Sequence, residues 1–141
     1  MIGKLNIKST VLLIIILAGI GSVFILEPIP QNPNYHLFAD SRQISFIPNF
    51  WNVVSNIPFL IVGILGMFLL LHKKQNGNRH ELWVNNLVFF IGIFLTGIGS
   101  WYYHWKPSSD SLVWDRLPMT ISFMAFFSII IGEFISVKSG K

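Results

Sequence analysis

Residues 82–104 read LWVNNLVFFIGIFLTGIGSWYYH, a run of 23 residues without Asp, Glu, Lys or Arg. A helix of this length, rising about 1.5 Å per residue, crosses the roughly 30 Å hydrocarbon core of a bilayer. Three other stretches have a similar character, at residues 11–26, 50–71 and 117–137. We therefore predict an all-α fold in which residues 1–141 form one multi-pass transmembrane bundle of four spans.

The composition of the whole chain supports a membrane protein. Of its 141 residues, 52% are hydrophobic and 11% are charged, whereas soluble domains carry about 25% charged residues. The chain has no cysteine, which excludes disulfides, thiol nucleophiles and cysteine-ligated zinc. The net charge is +4, but the basic residues are scattered, so we expect the lipid bilayer as a partner and no nucleic acid.

The placement of Lys and Arg predicts how the chain crosses the membrane. Cytoplasmic loops are enriched in these residues. Four alternating spans place seven of the ten on one side, namely Lys4, Lys8, Lys73, Lys74, Arg79, Lys138 and Lys141, and leave Arg42, Lys106 and Arg116 on the other. Both termini are therefore predicted to be cytoplasmic, in the cell membrane if the source is bacterial. A cleaved signal peptide is the alternative for the first span, because a basic start precedes its short apolar run.

Most polar residues within the spans fall at the side opposite the termini, which we call the polar end. Its members are Asn49, Asn52, Ser55, Asn56, Ser100, His104, Asp115 and, in the preceding connection, Asp40. Polar groups inside membrane spans are costly and mark candidate sites. Ser100 and His104 share a helical face one turn apart, and we expect span four to begin just after Asp115. Gly92 and Thr96 continue that face and are typical of close helix packing. Tyr103 and the other Trp and Tyr residues at span ends are typical of an interfacial belt.

Three kinds of chemistry could use Ser100, His104 and Asp115. A Ser-His-Asp hydrolase would need a strained turn at the serine, but Ser100 falls inside a predicted helix. A proton relay would need further ionisable groups along the bundle. A metal hydrolase could use His104 as a ligand and Asp115 to hold the metal-bound water, although a catalytic zinc usually takes three protein ligands. Composition and spacing leave these alternatives open.

Three motifs in order resemble the alkaline ceramidase family, part of a wider superfamily with adiponectin-receptor-like membrane proteins. They are FWNVVSN at residues 50–56, SWYYH at residues 100–104 and DRLPM at residues 115–119. The resemblance implies a zinc-dependent membrane amidase that splits ceramide, or a related lipid, into a fatty acid and a sphingoid base. It implies that His104 is a zinc ligand, that Asp115 bonds the zinc-bound water and that Ser100 stabilises the oxyanion.

Two features depart from the family pattern. The family completes its zinc site with a His-x-x-x-His pair on a late span, and His36, His72 and His80 do not form such a pair. We therefore expect the chain to correspond to the first half of the enzyme, to need helix partners for the missing spans and to be inactive alone. The family's calcium site leaves Asp40 as a candidate calcium ligand. Because Asn49 stands where an acid is expected and Arg42 adds a positive charge, we do not expect calcium as a cofactor.

The rival interpretations are a non-enzymatic multi-pass membrane protein and a receptor-like protein of the same superfamily, which would bind lipid without hydrolysing it.

Overall fold

The computed structural model describes residues 7–27, 29, 31–75 and 81–140, and these residues form α-helices and the connections between them. The positions Lys4, Arg79, His80 and Lys141, used above, lie outside the described residues. Residues 1–31 and residues 32–141 form separate compact units. The prediction of an all-α fold is confirmed.

The first unit contains helix α1, Ile7–Ile25. Its length of 19 residues corresponds to about 28 Å, close to the thickness of the hydrocarbon core. Most of its apolar side chains are exposed, as a lipid-facing helix requires. Its strongly apolar part, Leu13–Ser22, is shorter than a full span.

The second unit contains three helical segments long and apolar enough to cross a membrane. The first of them, Phe50–His72, is divided into α2, Phe50–Val54, and α3, Ile57–Gln75. Pro58 explains the division, because a proline four residues after Val54 has no N–H for the Val54 carbonyl. Helix α4, Trp83–Trp105, and helix α5, Ser109–Phe134, are the other two. With these spans, the chain is an integral multi-pass membrane protein.

Helix α5 begins earlier than the apolar pattern indicates. Ser108 Oγ accepts a hydrogen bond from the Ser111 backbone N–H at 3.1 Å, and Ser111 Oγ accepts one from the Ser108 N–H at 3.0 Å. This reciprocal cap starts the helix at polar residues. Asp115 therefore lies in the second turn of α5, and the expectation that it precedes the helix is wrong.

The second unit is organised around α4, which packs against α3 on one side and α5 on the other. A short helix α6, Val137–Gly140, folds back onto α5. At the polar end, residues 32–49 run across the ends of α2 and α4; we call this segment the strap. It contains a 3-10 turn, Pro33–His36, and an isolated bridge between Ile44 and Ile47.

Candidate functional site

The polar end is built on a close contact between α4 and α5. A Cβ added at Gly99 would overlap the carbonyl oxygen of Trp114, and one added at Gly92 would overlap Ser122. The two helices are antiparallel, so these two contacts fix their register. Ser100 and Asp115 consequently lie at the same height, with His104 one turn beyond Ser100.

Gly92, Thr96, Ser100 and His104 lie on one face of α4, and the first two of them serve packing against α5 and within the helix. Thr96 is buried and donates its hydroxyl hydrogen to the Gly92 carbonyl of its own helix at 2.8 Å, so its polar group is satisfied locally. The packing interpretation of Gly92 and Thr96 therefore fits the structure. Ser100 and His104, further along the same face, differ from Thr96 because their side chains form no such hydrogen bond to their own helix.

His104 carries a buried ring nitrogen without a partner. Its Nδ1 atom is shielded from solvent and forms no hydrogen bond within the described part of the chain. The ring lies beneath Phe38 of the strap, with 4.8 Å between the ring centroids, and beside Tyr103 at 5.1 Å. An unsatisfied buried imidazole nitrogen is costly, and such an atom is suited to bind a metal ion or accept a proton.

Ser100 and Asp115 complete this cluster. The Ser100 side chain is 8% exposed, and Asp115 lies within electrostatic range of His104. Neither side chain forms a hydrogen bond with another described residue. Arg116 does not neutralise Asp115 as an ion-pair partner, because its guanidinium lies over the Tyr35 ring, 5.4 Å from the centroid. Ser100, His104 and Asp115 thus lie at the same end of α4 and α5, with His104 Nδ1 buried and without a hydrogen-bond partner among the described residues.

The asparagines at the start of the second span have structural partners. Asn49 Nδ2 donates to the His104 carbonyl oxygen at 2.9 Å, and Asn52 Nδ2 donates to the Asp40 carbonyl oxygen at 2.7 Å. Asn56 is buried and donates to the Asn52 carbonyl oxygen at 2.8 Å, which satisfies a group freed by the break between α2 and α3. These residues hold the strap and the helix break.

Asp40 is engaged by Arg42. Arg42 Nε donates to Asp40 Oδ1 at 2.8 Å and Arg42 Nη2 to Oδ2 at 2.9 Å, and the Arg42 backbone N–H adds a third hydrogen bond at 3.1 Å. The hydrogen bonds from the Arg42 side chain and backbone hold the pKa of Asp40 below its ordinary value. A calcium ion at Asp40 would have to displace this guanidinium.

The two polar contacts of His36 in the strap were not found from the sequence. His36, which appeared alone in its loop, forms a hydrogen bond through Nδ1 with the Tyr103 hydroxyl at 3.0 Å and lies 3.4 Å from Ser109 Oγ through Nε2. Tyr103 is 3% exposed, so its assignment to the interfacial belt is wrong. The usable signal was the presence of three aromatic side chains, Tyr35, His36 and Phe38, within four residues of this connection.

The donor side chains of this cluster are too few for a catalytic zinc ion. A catalytic zinc takes three protein ligands and keeps one position for water. Among the described residues, no group of three His, Cys, Asp or Glu side chains is close enough to hold a metal ion. His104 Nδ1 is a suitable single donor, but the described residues do not by themselves form a zinc site.

Comparison with known proteins identifies similar sequences. The sequence model of the Ceramidase family matches residues 40–140, a range that includes Asp40, Ser100, His104 and Asp115. Alkaline ceramidase 3 of Mus musculus is 30% identical over 81 residues, which cover 57% of this chain and 28% of that protein. The Dictyostelium discoideum protein named "Putative alkaline ceramidase dcd3A" is 27% identical over 99 residues, covering 62% of this chain and 34% of that protein. The matched region therefore spans about a third of each relative. No solved structure matches the chain.

Proposed function

Because this chain belongs to the ceramidase family, we propose that it carries part of the active site of a zinc-dependent lipid amidase. The substrate class is ceramide or a related N-acyl lipid, and the products are a fatty acid and a sphingoid base. The observation that carries the proposal is the convergence of Ser100, His104 and Asp115, with the Nδ1 atom of His104 buried and unpartnered.

Each residue has a role that suits its surroundings. His104 would hold a zinc ion through its neutral imidazole, and such an ion would lower the pKa of a bound water and polarise a carbonyl group. Asp115 accepts a hydrogen bond from the attacking water and takes up its proton, for which a carboxylate without a competing ion pair is suited. Ser100 donates its hydroxyl hydrogen to the amide oxygen as negative charge develops there. The apolar faces of α4 and α5 suit a substrate whose chains remain in the bilayer.

The remaining zinc ligands come, in this proposal, from residues outside the described ranges or from another polypeptide. One imidazole and one carboxylate cannot hold a catalytic zinc ion against water. Reading the DNA downstream of the codon for Lys141 for a His-x-x-x-His span, in the same or a shifted frame, tests one source. The lipids of the source organism show whether sphingolipids are present as substrates.

The decisive experiment compares zinc content and turnover in matched variants. We expect this 141-residue chain alone to show little or no hydrolysis of a fluorescent ceramide, and a complex with a polypeptide that carries a His-x-x-x-His span to show turnover and bound zinc. His104→Ala in that complex removes both. The control is His72→Ala, because His72 is exposed at the opposite end of α3, where its ring stacks on Phe68. Unchanged zinc content in the His104→Ala variant contradicts the proposal.

A second candidate is lipid binding without hydrolysis, as in a receptor-like protein. The small donor set among the described residues favours it for the chain on its own. Binding of a fluorescent ceramide that persists in a zinc chelator, with no turnover by any complex containing the chain, supports this alternative.

A further inference from the structure

The His104 ring is held on one side by the strap, which belongs to none of the described spans. Phe38 lies over the imidazole at a centroid distance of 4.8 Å with a tilt of 57°. The same Phe38 ring meets Tyr103 edge-on at 5.7 Å, so it bridges two successive residues of α4. Aromatic rings in such contact stabilise each other beyond the burial of their area. One face of the imidazole therefore packs against a residue of the strap, which belongs to none of the described spans.

The backbone of His104 is held by the same segment. The carbonyl of His104 is in the last turn of α4, where carbonyl oxygens have no partner within the helix. The Asn49 amide supplies that partner at 2.9 Å. Asn49 has φ 46° and ψ 47°, a left-handed conformation that asparagine tolerates better than most residues. Its side chain reaches α4 while its backbone starts α2.

The strap is anchored at several points, so these two contacts are not isolated. The Arg42 carbonyl accepts a hydrogen bond from the Phe50 N–H at 2.9 Å, and the Asp40 carbonyl accepts one from Asn52. The salt bridge between the Asp40 and Arg42 side chains holds the short segment between these two hydrogen bonds. His36 attaches the other end of the strap to Tyr103. Movement of Phe38 away from His104 would strain this set of hydrogen bonds.

We infer that Phe38 and Asn49 are positioning residues for His104: Phe38 fixes the plane of the imidazole, and Asn49 fixes the turn of α4 that carries it. The inference rests on the proposed function for the use made of His104, whereas the contacts themselves require neither zinc nor substrate. A ring held in one plane with one buried nitrogen presents a fixed donor direction, and functional groups must be held within about 0.5 Å of the productive geometry.

The test measures the reactivity of His104 in the 141-residue chain in lipid nanodiscs. Diethylpyrocarbonate modifies accessible imidazole nitrogens, and mass spectrometry gives the rate for each histidine. We expect Phe38→Ala to raise the rate at His104 by about tenfold or more, because protection that depends on local packing is lost when the packing is removed. The control is Phe46→Ala, the same substitution in the same strap at a ring that is 77% exposed; it should leave the rate at His104 unchanged.

Three substitutions at Asn49 separate the side-chain hydrogen bond from the backbone conformation. Asn49→Gly keeps the left-handed backbone and removes the amide, and Asn49→Asp keeps the shape but replaces the donor by an acceptor. Asn49→Ala removes the amide and strains the backbone as well. We expect all three to increase the modification of His104. A wild-type rate in both Asn49→Gly and Asn49→Asp overturns the role of the Asn49 amide.

A spectroscopic measurement covers the case in which Phe38→Ala does not fold. Phe38→Leu keeps most of the side-chain volume and removes the ring. In protein with ¹³C-labelled histidine, the ring-current shift at the His104 Cε1–H signal should be reduced in Phe38→Leu and retained in Phe38→Tyr, which restores an aromatic face.

Failure of the inference and failure of the proposed function give different results. If His104 is protected from modification but no complex containing the chain hydrolyses ceramide, the positioning role is supported and the proposed enzymatic function is rejected. Equal modification rates in wild type and Phe38→Ala, or an unchanged His104 signal in Phe38→Leu, overturn the positioning role of Phe38 whatever the activity.

Discussion

Gly99→Ala tests whether the close contact between α4 and α5 builds the site. A Cβ atom at this position would lie 2.7 Å from the Trp114 carbonyl carbon and 3.3 Å from the Asp115 nitrogen, and it would overlap the Trp114 oxygen. All three are backbone atoms of α5, so no side-chain rotation can relieve the overlap. The helices must instead move apart at the level of Ser100.

The size of the effect follows from this geometry. Ordinary carbon contacts are about 3.5–4.0 Å, so α5 must retreat by about 1 Å. Overpacking of this kind costs about 1–3 kcal/mol, partly offset by about 0.5–1 kcal/mol because alanine favours helix more than glycine does. A displacement of about 1 Å between Asp115 and His104 can lower turnover by about 100-fold.

The assay is thermal unfolding in detergent, followed by ceramide turnover in a complex with a polypeptide that carries a His-x-x-x-His span. Gly19→Ala in α1 is the matched control, since a Cβ there meets nothing within 4 Å; we expect its stability to be unchanged or slightly raised. Gly99→Ala should unfold at a lower temperature and lose activity. If Gly99→Ala matches wild type in both measurements, the contact between α4 and α5 does not set the site.

Three other predictions follow from individual residues. Because the chain has no cysteine, a single introduced cysteine can be labelled to test the orientation in the membrane. If the termini are cytoplasmic, Ser41→Cys should react with a membrane-impermeant maleimide on intact cells and Ser139→Cys should not. Hydrogen bonds from Arg42 hold the pKa of Asp40 below its ordinary value. The stability lost in Asp40→Asn should therefore be constant above about pH 5 and should disappear as the pH falls through the lowered pKa. A stability difference between wild type and variant that stays constant down to about pH 2 contradicts this. Ser100→Ala should lower kcat of the active complex by about 10²–10³-fold with little change in zinc content.

The spans were predictable because the bilayer imposes a length and a composition that can be read locally. Residues 82–104 differ from the observed α4, Trp83–Trp105, by one residue at each end. The start of α5 was missed because an apolar count ignores capping. The readable signal was the spacing of Ser108 and Ser111, three residues apart in a polar stretch. In the structure the two serines form the reciprocal hydrogen bonds that begin the helix.

The candidate site was predictable in its membership and not in its surroundings. Ser100, His104 and Asp115 stand out because polar groups are rare in membrane spans. The contacts of Phe38 and Asn49 with His104 could not be predicted, since an irregular connection has no repeating hydrophobic pattern that indicates which helix end it crosses. A single sequence shows that residues 32–49 contain aromatic and amide groups, while the contacts at 4.8 Å and 2.9 Å depend on the tertiary path.

Pro118 explains why α4 and α5 approach so closely beside the site, and it leads to a last prediction. Without an N–H, Pro118 cannot donate to the Trp114 carbonyl one turn earlier, and this is the carbonyl that lies against Gly99. A free carbonyl in a membrane is tolerated only when protein covers it, and the bare Cα of Gly99 allows a weak C–H···O contact. Gly99 and Pro118 should therefore act as a unit. In a double-mutant cycle, Pro118→Ala, which restores the missing donor, should reduce the destabilisation caused by Gly99→Ala because the carbonyl can then turn into its own helix. Additive losses of stability would show that the two residues act independently.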